Sequence, residues 1–172
     1  LASSDIKKNT DLVIILDGFI TLLRKYLIKF QDQFKLKEKL ALLLYILANA
    51  SRVIKVNCPS NQKENLNNPL ISNAIKNLDE AAKLMKEVNV KLRDKSQEEA
   101  LNKNKAFISE IYFVSGLYIQ TVDNNLELAE KNYLESLTQS SNTSEKALKK
   151  LIEVYLLSKK LNDAQKYADM LI

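Results

Sequence analysis

Residues that break helices are nearly absent from this chain. Its 172 residues include two glycines and two prolines, whereas average proteins contain about 7% and 5% of these residues. Strands joined by tight turns would need more turn-forming residues than this. Apolar residues make up 46% of the chain, which distinguishes it from disordered sequences. The sequence therefore predicts an all-α protein that forms a single helical domain over residues 1–172.

The hydrophobic pattern divides the chain into about seven helices. We predict two that begin near Glu145 and Asn162, after five that cover residues 11–30, 36–56, 70–92, 96–122 and 126–137. Thr10 or Asn9 is expected to cap the first helix. Ser96 and Glu99 have the spacing of a capping box ahead of the fourth. The polar stretch 57–69 is predicted to be a long, mobile loop outside the core.

Two apolar runs raise the question of a membrane segment. Residues 40–50 are too short to span a bilayer, which needs about 20 apolar residues, and residues 11–30 carry five charged side chains. We expect both runs to be buried helices of a soluble domain, with the helix at 11–30 covered on more than one side, and no transmembrane segment. Because residue 1 is leucine, the compartment is unknown: cytoplasmic is the default, and a secreted or membrane-tethered form stays open.

The C-terminal part of the chain contains an internal repeat. When residues 109–137 are aligned with 145–171, Tyr112, Gly116 and Ile119 fall on Leu148, Ile152 and Tyr155, at an offset of 36 residues. After the turn the offset becomes 35, and Ala129, Tyr133 and Ser136 fall on Ala164, Ala168 and Leu171. A period of this length, made of two helices and a tight turn, is typical of helical solenoids.

The order of large, small and aromatic residues in this repeat resembles the tetratricopeptide (TPR) family, most clearly over residues 109–171. The resemblance implies antiparallel helix pairs stacked as a short α-solenoid, with TPR-like repeats over 96–172 and degenerate N-terminal helices over 1–95. Such pairs need small residues where two helices cross closely and large residues beside them. Gly116 and Ala129 are the expected small residues of one pair, and Ala164 is that of the next.

The composition argues against catalysis. The chain has no histidine, the most frequent general base and a common metal ligand. Cys58 has no histidine to activate it, and both glycines lie within predicted helices, where they cannot form a phosphate-binding loop. The net charge of +5 is spread along the chain rather than gathered in a basic stripe. We therefore expect no enzyme activity, no metal, no cofactor and no nucleic-acid partner.

A protein-binding surface remains the most plausible working part of the chain. In TPR proteins the first helices of the repeats line a groove that holds another protein or a peptide, and the resemblance places ten residues there: Glu110, Phe113, Val114, Leu117, Gln120, Lys146, Lys149, Lys150, Glu153 and Leu157. We predict a non-catalytic interaction module or scaffold whose partner is another protein, a peptide or a second copy of the chain. Packing of the apolar residues at 113, 114 and 117 against a neighbouring helix is equally compatible with the pattern. The alternative function is a structural part of a larger chain or assembly, with the helices as buried oligomer surface.

Overall fold

The described part of the molecule is helical throughout its regular elements. The computed structural model describes residues 2–31, 33–57, 72–94 and 97–171. Its helices are α1 (Ala2–Lys29), α2 (Phe34–Asn57), α3 (Ala74–Asp94), α4 (Glu98–Tyr118), α5 (Leu126–Gln139), α6 (Glu145–Leu157) and α7 (Leu161–Ala168). A π-helical turn (Ile119–Asp123) extends α4, and a 3₁₀ turn (Asp169–Leu171) follows α7. Within these ranges there are seven α-helices and no strand, which confirms the all-α prediction.

The chain forms two compact units, Leu1–Gln97 and Glu98–Ile172. The predicted single domain over residues 1–172, with TPR-like repeats from residue 96 onwards, stays a prediction. In the first unit α2 packs against both α1 and α3. Its core includes Val13 and Ile20 of α1, Leu44 of α2, and Leu78 and Met85 of α3. Ion pairs join α1 to α3 through Arg24 and Glu80, and α2 to α3 through Lys37 and Glu87.

The start of α1 differs from the prediction. The helix begins at Ala2 rather than near Asp11, so Asn9 and Thr10 lie inside it and neither caps its N-terminus. The first ten residues contain no glycine or proline, and a single Asn or Thr inside a helix costs only a few tenths of a kcal/mol. A residue that could cap a helix therefore does not by itself set where the helix begins. Residues 58–71 and Ser96 lie outside the described residues, and with them most of the predicted loop and the capping box.

The two apolar runs have different environments. Of the described helices, α2 is the one that is long and apolar enough to cross a membrane, and 44% of that apolar stretch is buried in the structure. Core helices of soluble proteins have the same length and composition, and Leu40, Leu44 and Leu47 of α2 are each at most 2% exposed. In contrast, several large apolar residues of α1 are about half exposed, so the expectation that α1 is covered on more than one side is wrong for this structure. The absence of a transmembrane segment stays a prediction.

The second unit is a succession of paired helices. α5 packs against α4 and α6, and α7 packs against α6. The first turn explains the predicted break at 123–125: Asn124 adopts a left-handed conformation with φ 53°, and the Asn125 side chain accepts a hydrogen bond from the Leu128 amide at 3.0 Å. Asparagine tolerates the left-handed region better than most residues, and it is a preferred N-cap. The two asparagines therefore end one helix and start the next without a glycine.

A substitution at Ala164 tests the packing between α6 and α7. Ala164 is 4% exposed on α7, so Ala164→Leu would force three extra carbon atoms into the contact with α6. We expect this substitution to lower the free energy of unfolding by about 1–3 kcal/mol, measured by urea denaturation. Ala106→Leu is the matched control, because Ala106 is exposed on α4; a change within about 0.5 kcal/mol is expected there. Equal effects at the two positions would contradict the close packing of Ala164.

Candidate interaction surface on the second unit

The contact between α4 and α5 depends on a missing side chain at Gly116. A Cβ atom built at Gly116 would lie 2.6 Å from Cε1 and 2.7 Å from Cδ1 of Tyr133, inside the van der Waals distance. Tyr133 is 0% exposed, so its ring has no solvent-facing space to move into. The small residue expected at this repeat position is thus required by the packing of one tyrosine ring.

A chain of hydrogen bonds leads from this tyrosine to the surface. The Tyr133 hydroxyl donates to Oε1 of Gln120 at 2.7 Å, and Nε2 of Gln120 donates to Oε1 of Glu153 at 2.7 Å. Lys150 then donates from Nζ to Oε2 of Glu153 at 2.6 Å. Gln120 is 8% exposed, so both ends of its amide are satisfied in a mostly buried place. The predicted groove residue Gln120 therefore acts as a structural link between α5, the π-helical turn and α6.

Two serines join α4 to α5 at a second close contact. The Ser109 hydroxyl donates to the Ser136 carbonyl at 2.8 Å, and the Ser136 hydroxyl approaches the Ser109 carbonyl at the same distance. The two hydroxyl oxygens are 3.0 Å apart, and both residues are buried. Small side chains allow the helices to approach closely, and the reciprocal hydrogen bonds satisfy the buried hydroxyls. Like the Gly116 contact, this arrangement fixes the rotation of α4 against α5, and with it which residues of α4 point away from α5.

Phe113 lies between this core and the surface. Its ring centroid is 5.9 Å from that of Tyr133, and Nζ of Lys146 lies 4.8 Å from the Phe113 centroid. Lys146 also forms an ion pair with Glu110. A cation over an aromatic face is attracted by the ring quadrupole, so these contacts hold the first turn of α6 against the middle of α4. Phe113 is half-buried, so part of its ring remains accessible.

The three lysines of the predicted groove are each paired with a glutamate. Lys146 pairs with Glu110, Lys149 with Glu145, and Lys150 with Glu153. These three lysines and three glutamates have a summed formal charge of zero. Exposed ion pairs are worth about 0–1 kcal/mol each, so a partner could open them at little cost. Nevertheless, these residues carry balanced charge rather than a net positive charge.

The remaining predicted residues separate into buried and accessible ones. Val114 is 4% exposed and belongs to the core of the unit, so it cannot contact a partner; its place in the predicted groove is wrong because this side of α4 is covered. Leu117 is half-buried. Leu157 is 60% exposed, and its neighbours Leu156 and Leu161 are 54% and 66% exposed. Sequence reasoning missed these two neighbours, although three leucines around a short polar turn are a recognisable signal.

Glu130 organises the other end of α6. It accepts hydrogen bonds from the Tyr155 hydroxyl at 3.1 Å and from Nζ of Lys160 at 3.0 Å. Burial, with the nearby Glu130 carboxylate, raises the pKa of Tyr155 far above its ordinary value, and the hydrogen bond to Glu130 raises the pKa of Lys160. The Tyr155 hydroxyl is thus held as a hydrogen-bond donor to Glu130. The Tyr167 ring stacks on Tyr155 with centroids 5.5 Å apart, which anchors α7.

A separate cleft lies in the first unit. Its volume is about 270 Å³, and it is lined by Gln31, Phe34, Lys37, Glu87, Val88, Val90 and Lys91. Lys37 and Glu87 of this lining form an ion pair at 2.7 Å, and Lys91 adds a further positive charge. Among the residues that the structure describes, no group of three or more Cys, Asp or Glu side chains could hold a metal ion. The cleft offers apolar walls and one ion pair, without an arrangement of reactive groups.

Comparison with known proteins finds no match among family models, curated proteins or solved structures. The resemblance to TPR repeats therefore rests on the order of residues in the sequence and stays a prediction.

Proposed function

We propose that the second unit is a non-catalytic protein-interaction module, or scaffold, that binds another protein or a peptide along α4 and α6. One observation carries the proposal: side chains of α6 contact those of α4 directly, although α5 lies between the two helices in sequence. Lys146 contacts Glu110 and Phe113 near the start of α6. About two turns further along α6, Glu153 contacts Gln120 in the π-helical turn that extends α4. The partners Glu110 and Lys146 are 36 residues apart in sequence, and Gln120 and Glu153 are 33 apart. Because later residues of one helix meet later residues of the other, these contacts support parallel first helices, as in TPR repeats.

The chemistry of this surface favours an apolar anchor over a charged one. Phe113 and Leu117 are half-buried, and Leu157 is exposed at the end of α6, while the neighbouring lysines are already paired with glutamates. Buried apolar anchors dominate the affinity of most interfaces, and rim charges act mainly on association rates and weaken with salt. A partner segment with a large apolar side chain fits these residues. Its flanking residues would be acidic, so that they can replace Glu110 or Glu153 as the ion-pair partners of Lys146 and Lys150.

Binding measurements on variants test the proposal. A partner captured with the whole chain is titrated against wild type and variants by calorimetry. We expect Leu157→Ser to weaken binding by more than about 1 kcal/mol without changing the unfolding midpoint, because Leu157 is 60% exposed. Phe113→Ala is expected to weaken it similarly, with some loss of stability from its contact with Tyr133. Lys149→Ala should act mostly on the association rate at low salt.

A matched control is available on α5. Leu128 is 42% exposed and lies on a second helix of a pair, outside the proposed surface, so Leu128→Ser should leave binding unchanged. Undiminished binding after joint replacement of Phe113, Leu117, Leu157 and the three lysines would place the surface elsewhere.

A second candidate function is assembly of a larger structure, and the exposed apolar residues of α1 favour it. Leu12, Ile15, Phe19, Leu22 and Tyr26 are 38–58% exposed. They belong to the first unit and have no part in the surface on α4 and α6.

A further inference from the structure

Helix α1 carries two apolar stripes, and α2 covers one of them. Val13, Leu16 and Ile20 are at most 6% exposed on the side of α1 that packs against α2. The other stripe consists of Leu12, Ile15, Phe19, Leu22 and Tyr26, which are 38%, 58%, 56%, 51% and 49% exposed. Its members alternate at intervals of three and four residues, the spacing that keeps one seam of a helix facing a partner helix. We call it the open stripe.

Gly18 lies beside the open stripe, and internal packing does not explain it. A Cβ built at Gly18 would meet nothing within 4 Å, whereas one at Gly116 would collide with Tyr133. Glycine inside a helix lowers its stability relative to alanine, and it occurs where another backbone must approach closely. In the described structure no backbone approaches Gly18. A helix laid on the open stripe would do so.

The charged residues in line with Gly18 indicate which partner would fit beside the open stripe. Asp11, Gly18 and Lys25 follow one another at intervals of seven residues, so they lie nearly in line, about 10 Å apart per step. Asp11 and Lys25 are both exposed. If two copies of α1 lie antiparallel with Gly18 facing Gly18, Asp11 of each copy is opposite Lys25 of the other. This line of residues is thus complementary to itself when inverted.

We propose that a second copy of this chain covers the open stripe, with the two α1 helices antiparallel and in closest approach at Gly18. The contact is isologous, so the same patch of both copies is used and the assembly closes as a dimer. It buries five apolar side chains from each copy and forms two Asp11–Lys25 pairs. This inference concerns the first unit and does not depend on the function proposed for the second.

The oligomeric state of the whole chain, measured by light scattering and sedimentation over a concentration series, tests the proposal. Wild type is expected to be dimeric, and Ile15→Asp should weaken the dimer by about 100-fold or more, because a carboxylate would be buried unpaired in the seam. Ile28→Asp is the matched control: Ile28 is 73% exposed, as Ile15 is 58% exposed, but it lies about 140° around the helix from Ile15 and outside the line of Asp11, Gly18 and Lys25. The control should remain dimeric, and circular dichroism should show both variants equally helical.

Charge reversal tests the antiparallel direction. Asp11→Lys and Lys25→Asp should each weaken the dimer by about fivefold, since each disrupts two exposed pairs, and the two changes combined in one chain should restore it. Cysteine cross-linking in a Cys58→Ser background gives a second readout. Asp11→Cys mixed with Lys25→Cys should form a disulfide between copies, whereas either variant alone should not. Self-cross-linking of Asp11→Cys would indicate a parallel pair and overturn the proposal.

Two other outcomes would also overturn it. A wild-type chain that stays monomeric throughout the series would show that no copy covers the open stripe. If such a monomer bound vesicles of anionic phospholipid, and Ile15→Asp abolished that binding, the open stripe would be a membrane-contacting face. Equal weakening of the dimer by Ile28→Asp and Ile15→Asp would place the interface on a different side of α1.

Discussion

Replacing Gly116 with leucine is expected to lower the free energy of unfolding of the second unit by more than about 3 kcal/mol. The first added carbon would already lie 2.6 Å from the Tyr133 ring. The ring cannot swing away easily, because it is fully buried and its hydroxyl is hydrogen-bonded to Gln120. The helices α4 and α5 must therefore separate or the ring must leave its site. Urea denaturation followed by circular dichroism measures the loss.

Alanine substitutions at the two glycines separate this steric effect from helix propensity. Each gains about 1 kcal/mol from the better helix former, but only Gly116→Ala meets the tyrosine ring, and we expect it to be net destabilising by about 1–3 kcal/mol. Gly18→Ala, measured in an Ile15→Asp background that prevents association through α1, should be stabilising. If both changes stabilised the chain, the close approach of α4 and α5 at Gly116 would be contradicted.

Replacing Tyr133 with alanine is expected to cost about 3–5 kcal/mol of unfolding free energy, the usual range when a buried aromatic side chain is removed. The ring fills the space over Gly116 and contacts Phe113 at 5.9 Å between centroids, so its loss leaves a cavity between two helices. It also leaves Oε1 of Gln120 without the hydroxyl that donates to it. Thermal and urea unfolding should both show the loss.

Tyr133→Phe isolates the hydrogen bond from the packing. It keeps the ring and removes the hydroxyl, so the expected cost is about 1 kcal/mol. A cost as large as that of Tyr133→Ala would mean that the polar chain to Gln120 and Glu153, rather than the ring, holds this contact. The double variant Gly116→Ala with Tyr133→Leu should be less unstable than the sum of its single changes, because the smaller side chain makes room for the new carbon.

The helices of the second unit followed directly from local residues. The break at 123–125 was predicted from its polar residues, and the structure places a left-handed residue and an N-cap at the two asparagines. The start of α1 could not be predicted in the same way. Thr10 is a good cap by its chemistry, but it remains helical because nothing before it stops the helix. A cap residue marks where a helix can begin, while the surrounding sequence decides whether it does.

The candidate surface was predicted less completely than the fold. The repeat offset identified Gly116 and Ala164 as close-contact positions, and both are buried. It could not reveal that Val114 faces the core. Periodicity shows which residues of α4 share a face, but it does not show which of those faces a neighbouring helix covers. Nor could it show that the lysines pair with Glu110, Glu145 and Glu153. Two of these pairs lie within one helix and depend on side-chain rotamers, and the third joins two helices through residues 36 positions apart in the sequence.

The succession of neighbouring contacts in the second unit has a consequence for its synthesis. Each of α5, α6 and α7 packs against the helix that precedes it, across linkers that end at Asn125, Ser144 and Lys160. Closing such short loops costs little chain entropy, and proteins rich in local contacts fold rapidly. The α4–α5 pair, with Tyr133 seated over Gly116, is complete in sequence once Gln139 has left the ribosome. Each later helix then has a finished surface to dock on, so the order of translation is also an order in which this unit can fold.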